Sequence, residues 1–137
     1  MSDPRRETAL SHLLINQGRS AKMSAVCEIG DFGYLNIRVR PTDTQGQKKL
    51  EEISGLTVPA APNTYSSAGR GTETRRLLWL GPDEFLCLLP HATLTSAVAS
   101  LEASAESAMG ITDVSSGYTL LTLTSPFANE IVRSACP

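Results

Sequence analysis

Two uninterrupted apolar runs, joined by a short turn sequence, constrain the fold of this chain more than any other feature. The first run covers residues 77–80, the second covers residues 85–89, and Gly81-Pro82-Asp83-Glu84 lies between them. Glycine and proline at such positions are typical of a tight turn, so the two runs predict a β-hairpin. Neither run alternates apolar with polar residues, and both faces of the hairpin are therefore expected to be covered.

The N-terminal part predicts a short helix and then an opening hairpin. The helix is expected near Leu10 to Ile15. Residues 34–40 alternate apolar and polar side chains, as a half-buried strand does, and residues 23–29 are a second candidate strand. Gly30-Asp31-Phe32-Gly33 is predicted to be the turn between the two strands.

The next segment predicts a capped helix and a long loop. Asp43 or Thr44 is placed to cap a helix that runs through Ile53 and ends at Gly55. Residues 58–71 are rich in proline, glycine, serine and asparagine, a composition that sustains neither a helix nor a central strand. We therefore expect a loop there.

The C-terminal half predicts two more helices with two short strands between them. Thr93 is placed to cap the first of these helices, and Gly110 to end it. Residues 111–114 and 118–124 favour a further hairpin, or two short strands, around residues 115–117. Ser125 with Pro126 is expected to begin the last helix. The predicted buried stripes of the two helices are Leu94, Val98, Leu101 and Ala105 in the first, and Phe127, Ile131 and Val132 in the second.

The resulting order, β-β-α-β-β-α-β-β-α, indicates an α+β fold with helices on one face of a mostly antiparallel sheet. A length of 137 residues favours a single domain that spans residues 1–137. Because helices on one face leave the other face of the 77–89 hairpin open, we expect further chain or a large partner to cover it. The isolated chain is then expected to self-associate.

Composition excludes several classes of function. The net charge is −2, and the basic residues form scattered pairs such as Arg75-Arg76, which disfavours nucleic-acid binding. The apolar stretch at residues 10–15 is too short for a secretory core or a membrane span, so a cytoplasmic protein is expected. Three widely separated cysteines, Cys27, Cys87 and Cys136, form neither a disulfide framework nor a metal site with the two histidines.

Candidate catalytic residues are few. Neither His12 nor His91 has a recognisable partner for acid/base work. Residues 30–33 and residues 69–71 contain glycines, but they lack the spacing and the lysine of a phosphate-binding loop. We therefore assign no catalytic, cofactor-binding or metal-binding residue to this chain.

Two acidic positions and one tryptophan have alternative interpretations. Asp113 is either a ligand-binding or catalytic acid or, as we favour, a turn aspartate that accepts hydrogen bonds from the N–H groups of the two following serines. Asp83 and Glu84, adjacent in a turn, are expected to diverge into solvent. Trp79 could stack on a flat ligand, but within an apolar strand it favours the core.

Several segments resemble one known family. The motifs are Leu78 to Leu86, which contains Gly81-Pro82-Asp83-Glu84, and Ile111 to Ala128, which contains Thr112-Asp113-Val114-Ser115; shorter matches are Phe32 to Arg38, Pro62-Asn63-Thr64 and Ala135-Cys136-Pro137. They are similar to the gamma subunit of heterotetrameric sarcosine oxidase. The second motif is shared with the glycine-cleavage T-protein and other folate-binding aminomethyltransferase-like proteins. Members of the family continue past the Cys-Pro, so this chain is expected to lack their C-terminal part.

The resemblance implies a specific role. Such complexes demethylate sarcosine oxidatively to glycine, form hydrogen peroxide, and pass the one-carbon unit to tetrahydrofolate or release formaldehyde. FAD, FMN, NAD and tetrahydrofolate are implied in partner subunits, which are the large alpha and beta subunits and the small delta subunit. The gamma subunit is implied to be non-catalytic. The alternatives are a stand-alone folate-binding module, or the equivalent subunit of an N-methylglutamate or dimethylglycine-type dehydrogenase complex.

Overall fold

The computed structural model describes residues 10, 12, 25–103 and 108–136. The chain divides into two compact units. One unit, the sheet unit, comprises residues 31–118. The other, the terminal unit, combines residues 1–30 with residues 119–137.

The described elements confirm the α+β class and follow the predicted order with one additional strand. In chain order they are β1 (Ala25–Ile29), β2 (Phe32–Arg38), α1 (Thr44–Ser54), β3 (Tyr65–Ala68), β4 (Arg75–Gly81), β5 (Glu84–Pro90), α2 (His91–Glu102), β6 (Gly110–Asp113), β7 (Leu120–Thr124) and α3 (Ala128–Ala135). The predicted helix near Leu10 to Ile15 lies outside the described residues, apart from Leu10 and His12.

The sheet unit is built around the predicted hairpin. Its strands are antiparallel and lie in the order β3-β4-β5-β2-β6. β4 and β5 are joined at Pro82 and Asp83, and Leu77 pairs with Cys87. The central position of β5 explains its continuous apolar sequence, since a strand with neighbours on both sides and cover on both faces has little contact with water.

Helices α1 and α2 pack on one face of this sheet and form its core. Odd-numbered positions of the three inner strands point toward the helices, because side chains alternate along a strand. Gly33 lies beneath α2, and its lack of a side chain lets Leu94 come close to the strand. The buried core cluster comprises Leu35, Ile37, Val39, Leu50, Leu56, Leu77, Phe85, Cys87, Leu89, Leu94, Ala97 and Leu101.

The other face of the hairpin is also covered within this single chain. Leu86 and Leu88 point away from the helices, yet they are only 8% and 3% exposed. Tyr34 lies beside Leu88, and the ring of Tyr118 stacks on the Tyr34 ring with centroids 5.5 Å apart. Cover on both faces is thus confirmed for β5, and the expectation that the whole outer face is open is wrong; on β4, Leu78 is half-buried and Leu80 is 45% exposed.

Helix α1 has the predicted ends. The Asp43 side chain accepts a hydrogen bond of 2.8 Å from the Gly46 N–H. At the other end Gly55 has a φ of 70°, a conformation that favours glycine, and its N–H donates to the Glu51 carbonyl at 2.8 Å. Each capping interaction involves residues close together in sequence, which is why both ends of the helix could be predicted correctly.

Helix α2 begins before the residue that was expected to cap it. It starts at His91, with Pro90 as the flanking residue, while Thr93 lies inside the first turn and donates its hydroxyl to the Pro90 carbonyl. Leu94 and Leu101 of the predicted stripe are buried and Val98 is partly buried. Ala105, the last residue of that stripe, is outside the described residues.

The predicted opening hairpin is wrong. β1 pairs with β7, and β2 pairs with β5 and β6. Phe32 and Gly33 belong to β2, so the segment between the strands is only Gly30 and Asp31. Proximity along the chain favours a hairpin, but each strand here pairs with strands that lie farther away in sequence.

The predicted loop at residues 58–71 contains the additional strand. Residues 65–68 form β3, which pairs with β4 at the edge of the sheet. An edge strand tolerates polar and small residues because one side remains in solvent. The composition correctly excluded a central strand and a helix, but the assignment of the whole segment to a loop was wrong.

The terminal unit contains a two-stranded ribbon and α3. The ribbon is formed by β1 and β7, with Cys27 opposite Thr122. Pro126 and Phe127 form the turn before α3, and the residue that flanks the helix is Phe127. Ser125 lies two residues earlier, but its hydroxyl accepts a hydrogen bond of 3.1 Å from the Phe127 N–H, so the helix begins later than predicted while the side-chain bond expected of Ser125 is present. The predicted buried stripe is wrong as well, because α3 has no buried residue.

Candidate functional site

Asp113 has the turn role that the sequence favoured. Its Oδ1 accepts hydrogen bonds from the Ser115 N–H at 2.9 Å and from the Ser115 hydroxyl at 2.5 Å. The Ser115 Oγ in turn accepts a bond of 2.9 Å from the Tyr34 N–H, and the Val114 N–H donates to the Tyr34 carbonyl. The aspartate therefore secures the short helical turn at residues 115–117 against β2.

Asp83 and Glu84 do not diverge as expected. Both carboxylates lie near Arg38, at 2.9 Å for Glu84 and 3.9 Å for Asp83. Glu84 also accepts a bond of 2.8 Å from the Asn36 amide. The Arg38 side chain is 59% exposed, so solvent screens this pair, and its arrangement holds the hairpin turn beside β2.

Cys87 is the buried free thiol that its apolar surroundings indicated. It is 1% exposed, and burial raises the pKa of its thiol from 9.0 to about 12, while the charge of Arg75 acts in the opposite direction. Cys136 is exposed and Cys27 is partly buried; both are free. A thiolate is the reactive form of cysteine, so Cys87 is poorly suited to nucleophilic chemistry.

The remaining residues that the sequence suggested as functional candidates do not form a common site in the described part of the structure. His91 begins α2, where it is exposed and its N–H donates to the Asp31 carbonyl at 2.7 Å. His12 is exposed. Trp79 packs against the core cluster, as expected. Within the described ranges, no three His, Cys, Asp or Glu side chains converge as a metal site would require, and no helix is long and apolar enough to cross a bilayer.

An exposed apolar helix face is the most conspicuous surface feature of the terminal unit. Phe127, Ile131 and Val132 are 56%, 42% and 51% exposed. Glu130 and Arg133 lie on the opposite side of α3, so the helix is amphipathic. A helix of eight residues is too short to be stable by itself in water, and its apolar face ordinarily provides the missing stability through packing.

The ribbon of the terminal unit also exposes apolar side chains. Val26 and Leu121 are each 45% exposed. They lie on the same face of the ribbon, because Val26 pairs with Leu123 and side chains two residues apart share a face. We define the α3 face and these two residues as the terminal apolar surface, and it is our candidate for an interface.

One cationic residue was missed by the sequence reasoning. Arg75 and Arg76 were treated as a scattered surface pair, but they occupy successive positions of β4 and therefore point to opposite faces of the sheet. Arg76 is exposed, whereas Arg75 is partly buried on the face that the helices cover. Counting back from the buried Leu77 by two residues would have placed Arg75 on the inner face.

Comparison with curated proteins gives a consistent result. The sarcosine oxidase subunit gamma of Corynebacterium sp. strain P-1 is 30% identical over 139 residues, and the one from an Arthrobacter species is 29% identical over 139 residues. The subunit gamma of Corynebacterium sp. strain U-96 is 32% identical over 111 residues. The chain is similar in sequence to the gamma subunits of sarcosine oxidase. The first two alignments cover 96% of this chain and 64% of each relative, so the chain spans less than two thirds of their length.

Solved structures support the relationship at the level of the fold. This gamma-related chain matches heterotetrameric sarcosine oxidase from Corynebacterium sp. U-96, solved with pyrrole 2-carboxylate, with a TM-score of 0.75 and 27% identity over 96% of this chain and 67% of that one. The aminomethyltransferase T of the Bartonella henselae glycine cleavage system has a TM-score of 0.54 and 14% identity, with coverage of 82% and 32%. That second likeness shows a shared fold alone. No family model matches the sequence.

Proposed function

We propose that this chain is a non-catalytic gamma subunit of a heterotetrameric sarcosine oxidase. The observation that carries the proposal is the agreement of sequence and fold over 96% of the chain with gamma subunits and with a solved heterotetramer. The partners in this proposal are the alpha, beta and delta subunits. The chain contributes a folded surface on which larger subunits assemble.

The reaction belongs to the complex as a whole. We propose that it converts sarcosine to glycine, with hydrogen peroxide as a product and with the one-carbon unit transferred to tetrahydrofolate or released as formaldehyde. FAD, FMN, NAD and tetrahydrofolate are bound by the partner subunits. We assign to this chain no residue that touches the substrate.

The terminal apolar surface supports a role in assembly. Phe127 and Ile131 present large apolar side chains one helical turn apart, which is a common pattern for a helix that docks into a groove of another protein. Large exposed apolar side chains grouped on one helix face are a usual mark of protein interfaces. We propose that α3 contacts a large subunit through this face.

The test is co-expression of the tagged chain with the large subunits from the same organism, followed by affinity purification. We expect stoichiometric co-elution, flavin absorbance in the complex, and a colourless product when the chain is purified alone. Failure of the wild-type chain to co-elute with those subunits would overturn the proposal. Flavin bound stoichiometrically by the isolated chain would also contradict it.

A pair of charge substitutions on α3 tests the proposed contact. Ile131→Glu places a charge on the apolar face and should reduce co-elution about tenfold or more, because the charge would have to be buried in the interface. Arg133→Glu changes a charge on the opposite side of the same helix and should leave assembly unchanged. Equal behaviour of the two variants would remove α3 from the interface while leaving the subunit role intact.

A stand-alone folate-binding module remains the second reading of the sequence. The T-protein likeness shows only that the fold is shared, and it favours no particular ligand. Calorimetric titration of the isolated chain with tetrahydrofolate separates the two functions. Stoichiometric binding without any large subunit would favour the folate module.

A further inference from the structure

The partly buried Arg75 places a positive charge at an unusual position in the sheet unit. It shares the inner face of β4 with Leu77, which is fully buried, and with Trp79, which packs on the core. Long basic side chains usually extend into solvent from an exposed face. Arg75 instead extends along the face where α1 and α2 pack, toward the groove between them.

No carboxylate of the described part of the chain lies within 4.0 Å of the Arg75 guanidinium, and none of its N–H groups makes a hydrogen bond to those residues. The end of α1 is close to its Nη1, since a Cβ atom built at Gly55 would lie 3.6 Å from that nitrogen. The negative end of a helix dipole attracts such a charge, but it is weaker than a carboxylate. Charges removed from bulk water are ordinarily paired.

Beside Arg75 is a groove of about 250 Å³. Its apolar wall is formed by Ile53, Leu89 and Ala97, and its polar wall by hydroxyl residues of α2. This volume is slightly below the usual range for sites of small-molecule ligands, which suits a small acid or one side chain better than a nucleotide. The lining residues are Ile53, Arg75, Leu89, Thr93, Ser96, Ala97 and Ser100.

The hydroxyl groups of Thr93 and Ser96 on the polar wall have defined donor and acceptor roles. Thr93 donates its proton to the Pro90 carbonyl at 2.8 Å, and Ser96 donates to the Thr93 carbonyl at 2.9 Å. With these protons engaged, the two oxygens retain lone pairs that can accept a hydrogen bond. The groove thus combines a five-donor cation on one side with acceptor oxygens on the other.

We propose that this groove binds a carboxylate through Arg75. A guanidinium matches a carboxylate with two parallel hydrogen bonds, and the apolar wall accommodates a short alkyl portion. An N–H donor attached to the same ligand would meet the hydroxyl oxygens of α2. The carboxylate comes either from a small free acid or from an acidic side chain of a partner subunit; the second source rests on the proposed function.

The neighbouring arginine provides a matched control. Arg75→Met and Arg76→Met each remove one positive charge from adjacent positions of β4, but only the first alters the groove. The full chain is titrated with acetate, and separately with glycine, while backbone amide shifts of α2 are followed by NMR at constant ionic strength with chloride. For a free ligand we expect saturable shifts in the wild type and in Arg76→Met, and a loss of about tenfold or more in affinity in Arg75→Met.

The second source is tested in the assembled complex. If a partner supplies the carboxylate, free acids produce no saturable shift, and Arg75→Met weakens co-elution with the large subunits about tenfold relative to Arg76→Met. Circular dichroism of both variants verifies that they are folded. A wild-type complex that assembles equally well with either variant, together with no Arg75-dependent binding of acetate or glycine, would overturn the carboxylate site. If the wild type does not assemble, the subunit proposal fails, and the NMR titration alone decides whether the groove binds a carboxylate.

Discussion

Replacing Gly33 by alanine tests the packing of α2 on the sheet. Gly33 lies in β2 opposite Leu89, and a Cβ atom built on it would lie 2.7 Å from both Cδ atoms of Leu94. Carbon atoms in contact are ordinarily about 3.5–4.0 Å apart, so one of the groups must move by roughly 1 Å. Leu94 is 5% exposed and held in the core cluster, which leaves it little room to move.

The expected cost follows from two opposing contributions. Forcing an extra methyl group into a packed core costs about 1–3 kcal/mol. Alanine also reduces the entropy of the unfolded chain, which stabilises the fold by about 0.4–1 kcal/mol. We therefore expect Gly33→Ala to lower the free energy of unfolding by about 1–2 kcal/mol.

Gly110→Ala is the matched control. Gly110 belongs to β6 of the same sheet, and a Cβ atom there would be 3.6 Å from the Arg38 Cβ, an ordinary contact. Only the entropic contribution should remain, so this variant should range from neutral to about 1 kcal/mol more stable. Urea denaturation of the two full-length variants measures the difference.

A double substitution identifies Leu94 as the cause. Leu94→Ala alone should cost about 2–5 kcal/mol because it removes a buried side chain. In that background the added methyl group of Gly33→Ala has space, and its penalty should disappear, giving a coupling of about 1 kcal/mol or more. Equal stabilities of Gly33→Ala and Gly110→Ala, or additive effects in the double variant, would refute the packing argument.

Two further substitutions test individual environments. Burial raises the pKa of the Cys87 thiol from 9.0 to about 12, so on raising the pH the thiol ionises in the unfolded chain before it ionises in the folded one. The free energy of unfolding should therefore decline as the pH rises from 9 toward 12, and urea denaturation of Cys87→Ala should show a shallower decline. Equal declines in the wild type and the variant would contradict the burial argument. Gly81→Val should change the free energy of unfolding by no more than about 0.5 kcal/mol. The φ of Gly81 is not positive, and the atom nearest to an added Cβ would be the Glu84 Cβ at an ordinary 3.6 Å. A loss above about 1 kcal/mol, measured by thermal denaturation, would show that this position needs glycine.

The features predicted correctly are those specified by neighbouring residues. The α1 caps depend on Asp43, three residues before the N–H that it accepts from, and on Gly55. The β4–β5 hairpin depends on a turn between two runs that touch each other directly. In such cases the residues that determine the structure all lie within one short window of sequence.

Long-range pairing could not be predicted by the same means. Cys27 pairs with Thr122, and nothing in residues 25–29 specifies a strand nearly a hundred residues away. Short strands of similar composition can pair in several ways, and the choice is made by the packing of the whole fold. The domain count and the cytoplasmic location inferred from composition stay predictions.

Periodicity identifies the apolar side of an element but not what covers it. The stripe of Leu94 and Leu101 and the stripe of Phe127 and Ile131 look alike in sequence, yet the first is buried on the sheet and the second is exposed. The same limit applies to Arg75, whose alternation with Leu77 indicates the inner face without indicating what neutralises its charge. Side chains that follow the periodicity of their helix or strand but have no partner within the described residues therefore indicate where an interface or a ligand is to be sought. Ile131→Glu with Arg133→Glu on α3, and Arg75→Met with Arg76→Met on β4, test the two positions separately.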